Sequence, residues 1–335
     1  MATAKDRSGR TSVRLCAACS SGRAIHSQIE PRAEDMLQPP RAYAYIDAVA
    51  RYGSIRKAAK HLNVASTALN RKILELEQEI ATPLFERLPR GVRLTSAGEV
   101  LLVAIRRSMA EMRSAASQIE QLRGLVRGIV RIGCAQSVAS DLVPRAIAAF
   151  QDAHPGVQFR LWSGVTSGLV AALLRDDVDL VLAHDPPPSD ALQIIAEAPQ
   201  PLCAMMRPDH PLAGRASLRL AELQAFRIAV GDETFQTRRA LDDAMHRSRL
   251  TFEIALEASS VEALKTYTMA TGAIGFQYEI GTRREVERGD LAVVPLSDVP
   301  LAGNRLVLAC RAGRLPPIAA VTFCENLAQM LKKTS

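Results

Sequence analysis

The chain has 335 residues, of which 48% are hydrophobic, enough for two or three domains with substantial cores. No run of eighteen apolar residues occurs, which excludes a transmembrane helix read from hydropathy. The net charge of +7 is uneven, with +5 on residues 39–96 and −1 on residues 127–335, a division that suits nucleic acid at one end and a small ligand at the other.

Residues 1–38 mix Ser, Gly, Arg, Pro and Ala without helical or strand period. They read either as a disordered arm or as sequence ahead of a true start at Met36. They hold no apolar stretch long enough for a signal peptide. Cys16 and Cys19 form the one close cysteine pair, and with only His26 nearby no metal site is expected. Cys134, Cys203, Cys310 and Cys324 sit in apolar surroundings and are expected as buried free thiols. Nothing points to an oxidising compartment, so the expected location is cytoplasmic and no cofactor is implied.

Arg41–Tyr52 is expected as a first helix, packed through Tyr45, Ile46 and Val49. Gly53-Ser54 opens a second, with Ser54 as N-cap and Ala58, Ala59 and Leu62 as its buried stripe. After the turn at Asn63-Val64 a third helix carries Leu69, Ile73, Leu76 and Ile80 at spacings of four, three and four, one apolar face at helical period. Two short helices with a brief turn, the first rich in alanine for close approach, read as a helix-turn-helix. The other face of the third helix carries Ser66, Thr67, Asn70, Arg71 and Lys72, hydroxyl, amide and cationic groups of the kind that read base edges in a major groove. Arg87, Arg90 and Arg93 surround Pro89 and Gly91. A basic hairpin in that place is a wing that reaches phosphates or a minor groove.

The run Gly53-Ser54, Ala58-Ala59, Leu62, Ile73, Leu76-Glu77, Leu84-Phe85, Arg87, Leu94-Thr95 and Ala97-Gly98 resembles the DNA-binding domain of LysR-type transcriptional regulators. Three positions depart from the family pattern. Ala65 stands where a helix-capping serine is usual, Asn70 where the recognition helix usually has serine, and Ala81 where glycine usually precedes Leu84-Phe85.

Ser96–Arg123 is expected as one long helix. Leu102, Ile105, Met109, Met112, Ala116 and Ile119 recur as a heptad seam. No nearby element is expected to cover that seam, so it reads as a dimer helix, and it looks like the linker helix of the same family. From Val130 strands and helices alternate, implying a parallel sheet. Expected strands include 129–133, 157–162, 178–183, 192–196, 202–206, 226–230, 272–276 and 305–310. Expected helices include 141–153, 168–175, 237–247, 261–271, 280–287 and 317–331.

The resemblance therefore implies an N-terminal all-α winged helix-turn-helix (39–96), a linker helix (97–126), and a C-terminal α/β, two-lobed, periplasmic-binding-protein-like effector domain (127–335). Lobe I is expected from 128–186 with 294–335 and lobe II from 187–293, crossing near 185 and 294.

No catalytic constellation, P-loop or dinucleotide fingerprint is present, and the six histidines lie apart, so the chain is not expected to be an enzyme. Gln136-Ser137, Thr166-Ser167 and Thr234 fall where strands hand over to helices. Ligands of open α/β sheets bind there, and helix N-termini suit a carboxylate or phosphate. The competing reading is simple N-capping. Phe276 is expected as apolar wall. The resemblance implies a regulator of transcription that binds double-stranded DNA. It implies a homodimer through the linker helix and a homotetramer beyond it, with RNA polymerase as a further partner. The neutral hydroxyls near helix N-termini, between modestly apolar walls, point to a small, carboxylate-bearing effector, and no membrane partner is expected.

Overall fold

A computed structural model describes residues 39–122, 126–299 and 304–332. The expectations for residues 1–38, including the Cys16/Cys19 pair and the start at Met36, lie outside the described residues.

Helices α1 (Arg41–Tyr52), α2 (Ile55–His61) and α3 (Ser66–Glu79) are followed by a hairpin of β1 (Phe85–Leu88) and β2 (Gly91–Leu94). The Ser54 hydroxyl caps α2, accepting from the Lys57 amide at 3.4 Å, as serine at an N-cap is suited to do. Asn63 turns the chain toward α3 in the left-handed region, φ 53°. Ala58 and Ala59 are buried beside Ile46, Val49, Leu69 and Ile73, so the two helices approach without bulk between them. The apolar stripe of α3 is shorter than expected. Leu69 and Ile73 are buried, but Ile80 follows the helix as its C-cap and is exposed. The wing is tied down where α3 ends: one carboxylate oxygen of Glu77 accepts from the amides of Leu84, at 2.7 Å, and Phe85, at 3.0 Å. Gly91 has φ 115°, and a Cβ there would stand 2.3 Å from the Gly53 carbonyl oxygen, so only glycine lets the wing close against the α1–α2 turn. The domain is thus helical apart from this two-stranded wing.

Helix α4 (Ser96–Leu122) corrects part of the expected seam. Leu102 and Ile105 are buried in the winged domain's own core and Met109 packs against it. Helix α1 covers the first half of the seam, because both elements need an apolar partner and lie in contact. Further along, the face carrying Ser114, Ser117 and Glu120 is buried, and the Ser117 hydroxyl accepts from the Ile318 amide at 2.9 Å. Four apolar side chains of α4 stay exposed, Val100 (74%) and Val103 near its start and Ile119 and Leu122 (88%) near its end, a stripe broken by the exposed Arg107, Glu111 and Gln118.

The C-terminal part holds two mixed five-stranded sheets in place of one parallel sheet. Its elements are β3 (Gly128–Ala135), α5 (Gln136–Ala139), α6 (Leu142–Ala153), β4 (Val157–Gly164), α7 (Thr166–Leu174), β5 (Leu180–His184), β6 (Leu192–Pro199), β7 (Leu202–Met206), β8 (Ile228–Gly231), α8 (Gln236–Ser248), β9 (Ile254–Ala258), α9 (Val261–Thr271), β10 (Ile274–Tyr278), α10 (Arg283–Arg288), β11 (Ala292–Pro295), β12 (Arg305–Arg311) and α11 (Ile318–Lys332). Lobe I has strand order β4-β3-β5-β12-β6 and lobe II β11-β7-β10-β8-β9. The central strands β5 and β10 are buried along their whole length, as expected of strands covered on both faces. Gly272 is the left-handed C-cap of α9, so β10 starts at Ile274 and not at Gly272.

The lobe boundaries differ from those expected. Strand β6 pairs antiparallel with β12 from Leu192 to Pro199 and belongs to lobe I, while β11 pairs with β7 and belongs to lobe II. The chain crosses at Pro199–Leu202 and again between Pro295 and Asn304, where the Gln200 amide donates to the Asn304 carbonyl at 2.7 Å. The triple proline 186–188 made a crossing at 185 look plausible, yet it only stiffens a loop on lobe I. Two paired strands need two crossing points side by side, and those lie one strand later.

Cys134, Cys203, Cys310 and Cys324 are buried free thiols. Burial pushes the pKa of Cys134, Cys203 and Cys324 up to about 12. No described helix is long and apolar enough to cross a membrane.

Candidate functional site

The first candidate surface is the outer face of α3 with the wing. Ser66, Thr67, Arg71 and Lys72 are exposed and Asn70 is half-buried. The Arg87 guanidinium donates to the Asn70 side-chain oxygen at 2.8 Å, joining the wing to the helix and leaving the amide nitrogen of Asn70 as its remaining hydrogen-bonding group. Arg71 and Lys72 both lean on Glu75, at 3.6 and 2.9 Å. The Lys72 ammonium is favoured by that hydrogen bond, and the Glu75 carboxylate by the same contact. Arg93 reaches Glu86 across the hairpin at 2.7 Å, and Arg90 is exposed at the hairpin tip. Ser54 is occupied as the α2 cap, though its hydroxyl proton is still available.

The second candidate lies between the lobes. A small cavity of about 40 Å³ is lined by Gln136, Ser137, Thr166, Thr234, His184 and Gln277, among others. The structure therefore brings together four of the six effector candidates. Ser167 is exposed and lies outside the lining, and Phe276 is buried in the core beside the cavity, not on its wall.

The hydroxyls do not cap helices. The N-cap positions of α5, α7 and α8 are Ala135, Val165 and Phe235, none with a side-chain cap. Ser137 Oγ instead lies 2.7 Å from His184 Nε2. Thr166 Oγ1 donates to the His184 carbonyl at 2.8 Å, and Thr234 Oγ1 to the Asp232 carboxylate at 2.5 Å. Several side chains span the cleft. The Gln136 amide donates to the Ser259 carbonyl and accepts from the Val261 amide, both at 3.3 Å. The Gln236 amide donates to the carbonyls of His184, at 3.4 Å, and Asp185, at 3.3 Å.

Among the described residues no charged side chain lines this cavity. Its polarity comes from the uncapped starts of α7 and α8, whose N–H groups and dipoles favour an anion. Two buried polar atoms on its walls, His184 Nδ1 and Gln277 Nε2, have no hydrogen-bond partner among the described residues. The Gln277 amide is oriented, because its oxygen accepts from the Tyr278 amide at 2.9 Å, so the orphan nitrogen is a donor. Burial lowers the His184 pKa to about 3, which keeps the imidazole neutral. The ring also stacks on Tyr278, centroids 4.2 Å apart. The Ser137–His184 pair has the spacing of a nucleophile and base. It lacks the third group such pairs use, since His184 Nδ1 meets no carboxylate, and so weak a base does not activate a hydroxyl.

His184, Gln236 and Gln277 were not among the candidates read from the sequence. His184 ends a continuous apolar run, and Gln277 follows a strand with no break in its pattern. Only the fold shows that both strand ends open on the cleft. Among the described residues no group of three or more His, Cys, Asp or Glu is placed to hold a metal.

Comparison with known proteins is consistent across the chain. The description "Bacterial regulatory helix-turn-helix protein, lysR family" matches residues 40–99, and "LysR substrate binding domain" matches residues 123–332. The chain is 33% identical over 279 residues to the RuBisCO operon transcriptional regulator of Allochromatium vinosum, covering 83% of this chain and 92% of that protein. It is 31% identical over 288 residues to the SDS degradation transcriptional activation protein of a Pseudomonas species, covering 83% and 92%. Among solved structures, a full-length OxyR variant from Pseudomonas aeruginosa aligns with a TM-score of 0.63 at 20% identity, covering 87% of this chain and 93% of that one. A putative LysR family regulator from the same organism aligns at 0.53 with 21% identity, covering 88% and 99%. At these identities the two structures share the fold.

Proposed function

The chain belongs to the LysR family of DNA-binding transcriptional regulators and carries that family's effector-binding domain, and from that premise we propose how its two ends work together. Two copies pair through the exposed stripe of α4 and set two α3 helices in successive major grooves. Ser66, Thr67, Asn70, Arg71 and Lys72 face the bases. Arg87 and Arg93 position the wing, Arg90 reaches the backbone or minor groove, and Ser54 contacts a phosphate. Two dimers associate through the effector domains, and RNA polymerase is contacted from the DNA-bound assembly.

The effector in this reading is a small carboxylate held in the cavity between the lobes. The observation that carries it is the pair of buried atoms without a hydrogen-bond partner among the described residues, His184 Nδ1 and Gln277 Nε2, in a cavity whose positive polarity comes from helix starts and the Gln277 amide. A buried polar atom without a partner costs about 1–3 kcal/mol, which a ligand relieves. The protons of Thr166 and Thr234 are already used, so backbone N–H groups take the larger part in holding the carboxylate. Ser137 contributes a proton when Nε2 of His184 carries the hydrogen and donates to Oγ; His184 Nδ1 then accepts from a hydroxyl of the ligand, while Gln277 donates to an oxygen. The ligand shifts the lobe and subunit arrangement only by its difference in affinity for the two states.

Footprinting the purified protein on its own upstream DNA, with a panel of small carboxylic acids and their neutral amides, tests this reading. A change in the footprint with an acid and not with its amide is expected. A response to uncharged ligands alone would overturn the carboxylate.

A further inference from the structure

Strand β1 of the wing runs back along α3. Glu77 fixes its start, one carboxylate oxygen accepting from the amides of Leu84 at 2.7 Å and Phe85 at 3.0 Å. Phe85 is buried in the core of the winged domain, and Arg87, two residues on, keeps the same side of the strand. Asn70 lies two helical turns before Glu77, so α3 presents both on one face. The exposed Arg87 guanidinium meets Asn70 there, Nη2 donating to Oδ1 at 2.8 Å.

That contact decides which way the Asn70 amide turns. A guanidinium has five donors and no acceptor, so the oxygen faces Arg87 and the nitrogen is the atom left for a base. Asparagine reads adenine with both atoms, its oxygen taking the N6 amino group while its nitrogen gives to N7. With a cationic donor seated on the oxygen, the adenine amino group would meet donor against donor. The Asn70 nitrogen itself can only donate. Guanine offers two acceptors, N7 and O6, on its major-groove edge, whereas cytosine offers a donor there. Thymine O4 also accepts, but the C5-methyl crowds the space beside it, so guanine ranks first. A serine at this position, as in the family pattern, would leave the choice open, because its hydroxyl rotates to donate or accept.

We propose that Arg87 holds Asn70 as a donor-only reader, so that the base it selects is guanine and not adenine. This rests on the proposed placement of α3 in the major groove. Arg87 is then a positioning residue: it acts on the base through Asn70, and the wing enters the sequence preference of the recognition helix.

The test is selection from a pool of random duplexes by the full-length protein, with the retained sequences read for wild type and for single variants. Low salt strengthens phosphate contacts for every sequence alike, which keeps weakened variants within range. Asn70→Ser should erase the preference at one base pair, and that marks the position Asn70 faces. Wild type should retain guanine over adenine there by about fivefold or more, the lower end for a base-edge contact. Arg87→Met frees the Asn70 oxygen and should move the preference at that base pair to adenine. Neither side chain is buried, so both variants should melt near wild type. The wild-type preference is decisive even if Arg87→Met folds poorly: adenine there would overturn the proposal. So would guanine persisting in Arg87→Met. Arg71→Ala keeps the placement of α3 apart from this inference, since it should alter a different base pair. If Arg71→Ala alters the selected sequence and Asn70→Ser does not, the donor-only reader fails while the placement of α3 stands. If neither alters it, the placement fails and the reader with it.

Discussion

Ser137 Oγ and His184 Nε2 lie 2.7 Å apart inside the cleft, joining the start of α5 to the end of β5. Both side chains are buried, and burial disfavours the charged form of His184, so the ring stays neutral. Its folded pKa of about 3 is below the unfolded value of 6.5. Between those values the unfolded chain takes up a proton that the folded chain refuses. Stability is therefore complete above pH 6.5 and falls as pH drops toward 3, by about 1.4 kcal/mol per pH unit from this group. Denaturant unfolding from pH 7 to pH 4 should show the loss, and His184→Gln should flatten it. Equal slopes for the two proteins would show that His184 is not the responsible group.

Two departures from the family pattern predict easy gains in stability. Ala81 holds φ 50°, a left-handed conformation that costs a residue with a Cβ about 1–2 kcal/mol. Ala65 occupies the N-cap of α3 without a side-chain acceptor. Ala81→Gly should stabilise the winged domain by about 1 kcal/mol, and Ala65→Ser by about 0.5–2 kcal/mol. Thermal melts of each single variant check this, and a fall in midpoint for Ala81→Gly would mean that its turn has other constraints.

The winged domain was legible because its evidence is local. Caps, alanine pairs and a four-three-four stripe declare themselves within a few residues, and Ser54, Ala58, Leu69 and Ile73 stand where that pattern puts them. The cleft was legible only in part. Ser137 and Thr166 are polar residues at a change of period, which a sequence shows. The partners they choose, His184 Nε2 and the His184 carbonyl, depend on a fold that brings residues 137, 166 and 184 to one point. Phe276 was assigned to the wall because it is large and apolar. Strand β10 turns it into the core, and the polar Gln277 next to it lines the cavity. The lobe boundary was hidden for the same reason: nothing local in Leu192–Pro199 says that its partner is Arg305–Arg311.

Dimer formation should depend on the exposed stripe of α4. Charge at Met109 disturbs the winged core, since Met109 packs on it. Val103 has no such role and is 64% exposed. Val103→Glu combined with Val100→Glu should leave the melting transition of the winged domain nearly unchanged. Sedimentation should show a shift to a smaller species at low concentration, with loss of binding to a two-half-site operator. An unchanged sedimentation coefficient would remove the stripe from the interface.

On the DNA face, Arg71 and Arg90 should differ in kind. Arg71 projects from the recognition helix and is held only loosely, 3.6 Å from Glu75. Arg71→Ala should weaken specific binding by about 1–3 kcal/mol while sparing random DNA. Arg90→Ala at the wing tip should weaken all sequences alike and flatten the salt dependence by about one unit. Equal losses on operator and random DNA for Arg71→Ala would assign it to the backbone instead.

Gln136 lines the cavity and also bridges its two walls. Its amide spans the lobes with two hydrogen bonds, to the Ser259 carbonyl and from the Val261 amide. Each neutral hydrogen bond contributes about 0.5–1.5 kcal/mol, and these two are partly exposed, so their sum belongs at the lower end. Both exist only when the lobes are together, so Gln136→Ala should raise the population of separated lobes. Apparent affinity for an effector is the intrinsic affinity scaled by the fraction of chains already closed. A protein that is mostly closed without ligand will therefore lose little affinity at first, then progressively more as the closed fraction falls below half. Small-angle scattering of the ligand-free variant should show a larger radius of gyration. Calorimetry should show a lower apparent affinity for the effector, because the lost contacts are the protein–protein bonds that favour the closed lobes. Saturating effector should restore the wild-type radius. A variant that binds weakly yet scatters identically to wild type at every effector concentration would make Gln136 a direct ligand contact and not a latch.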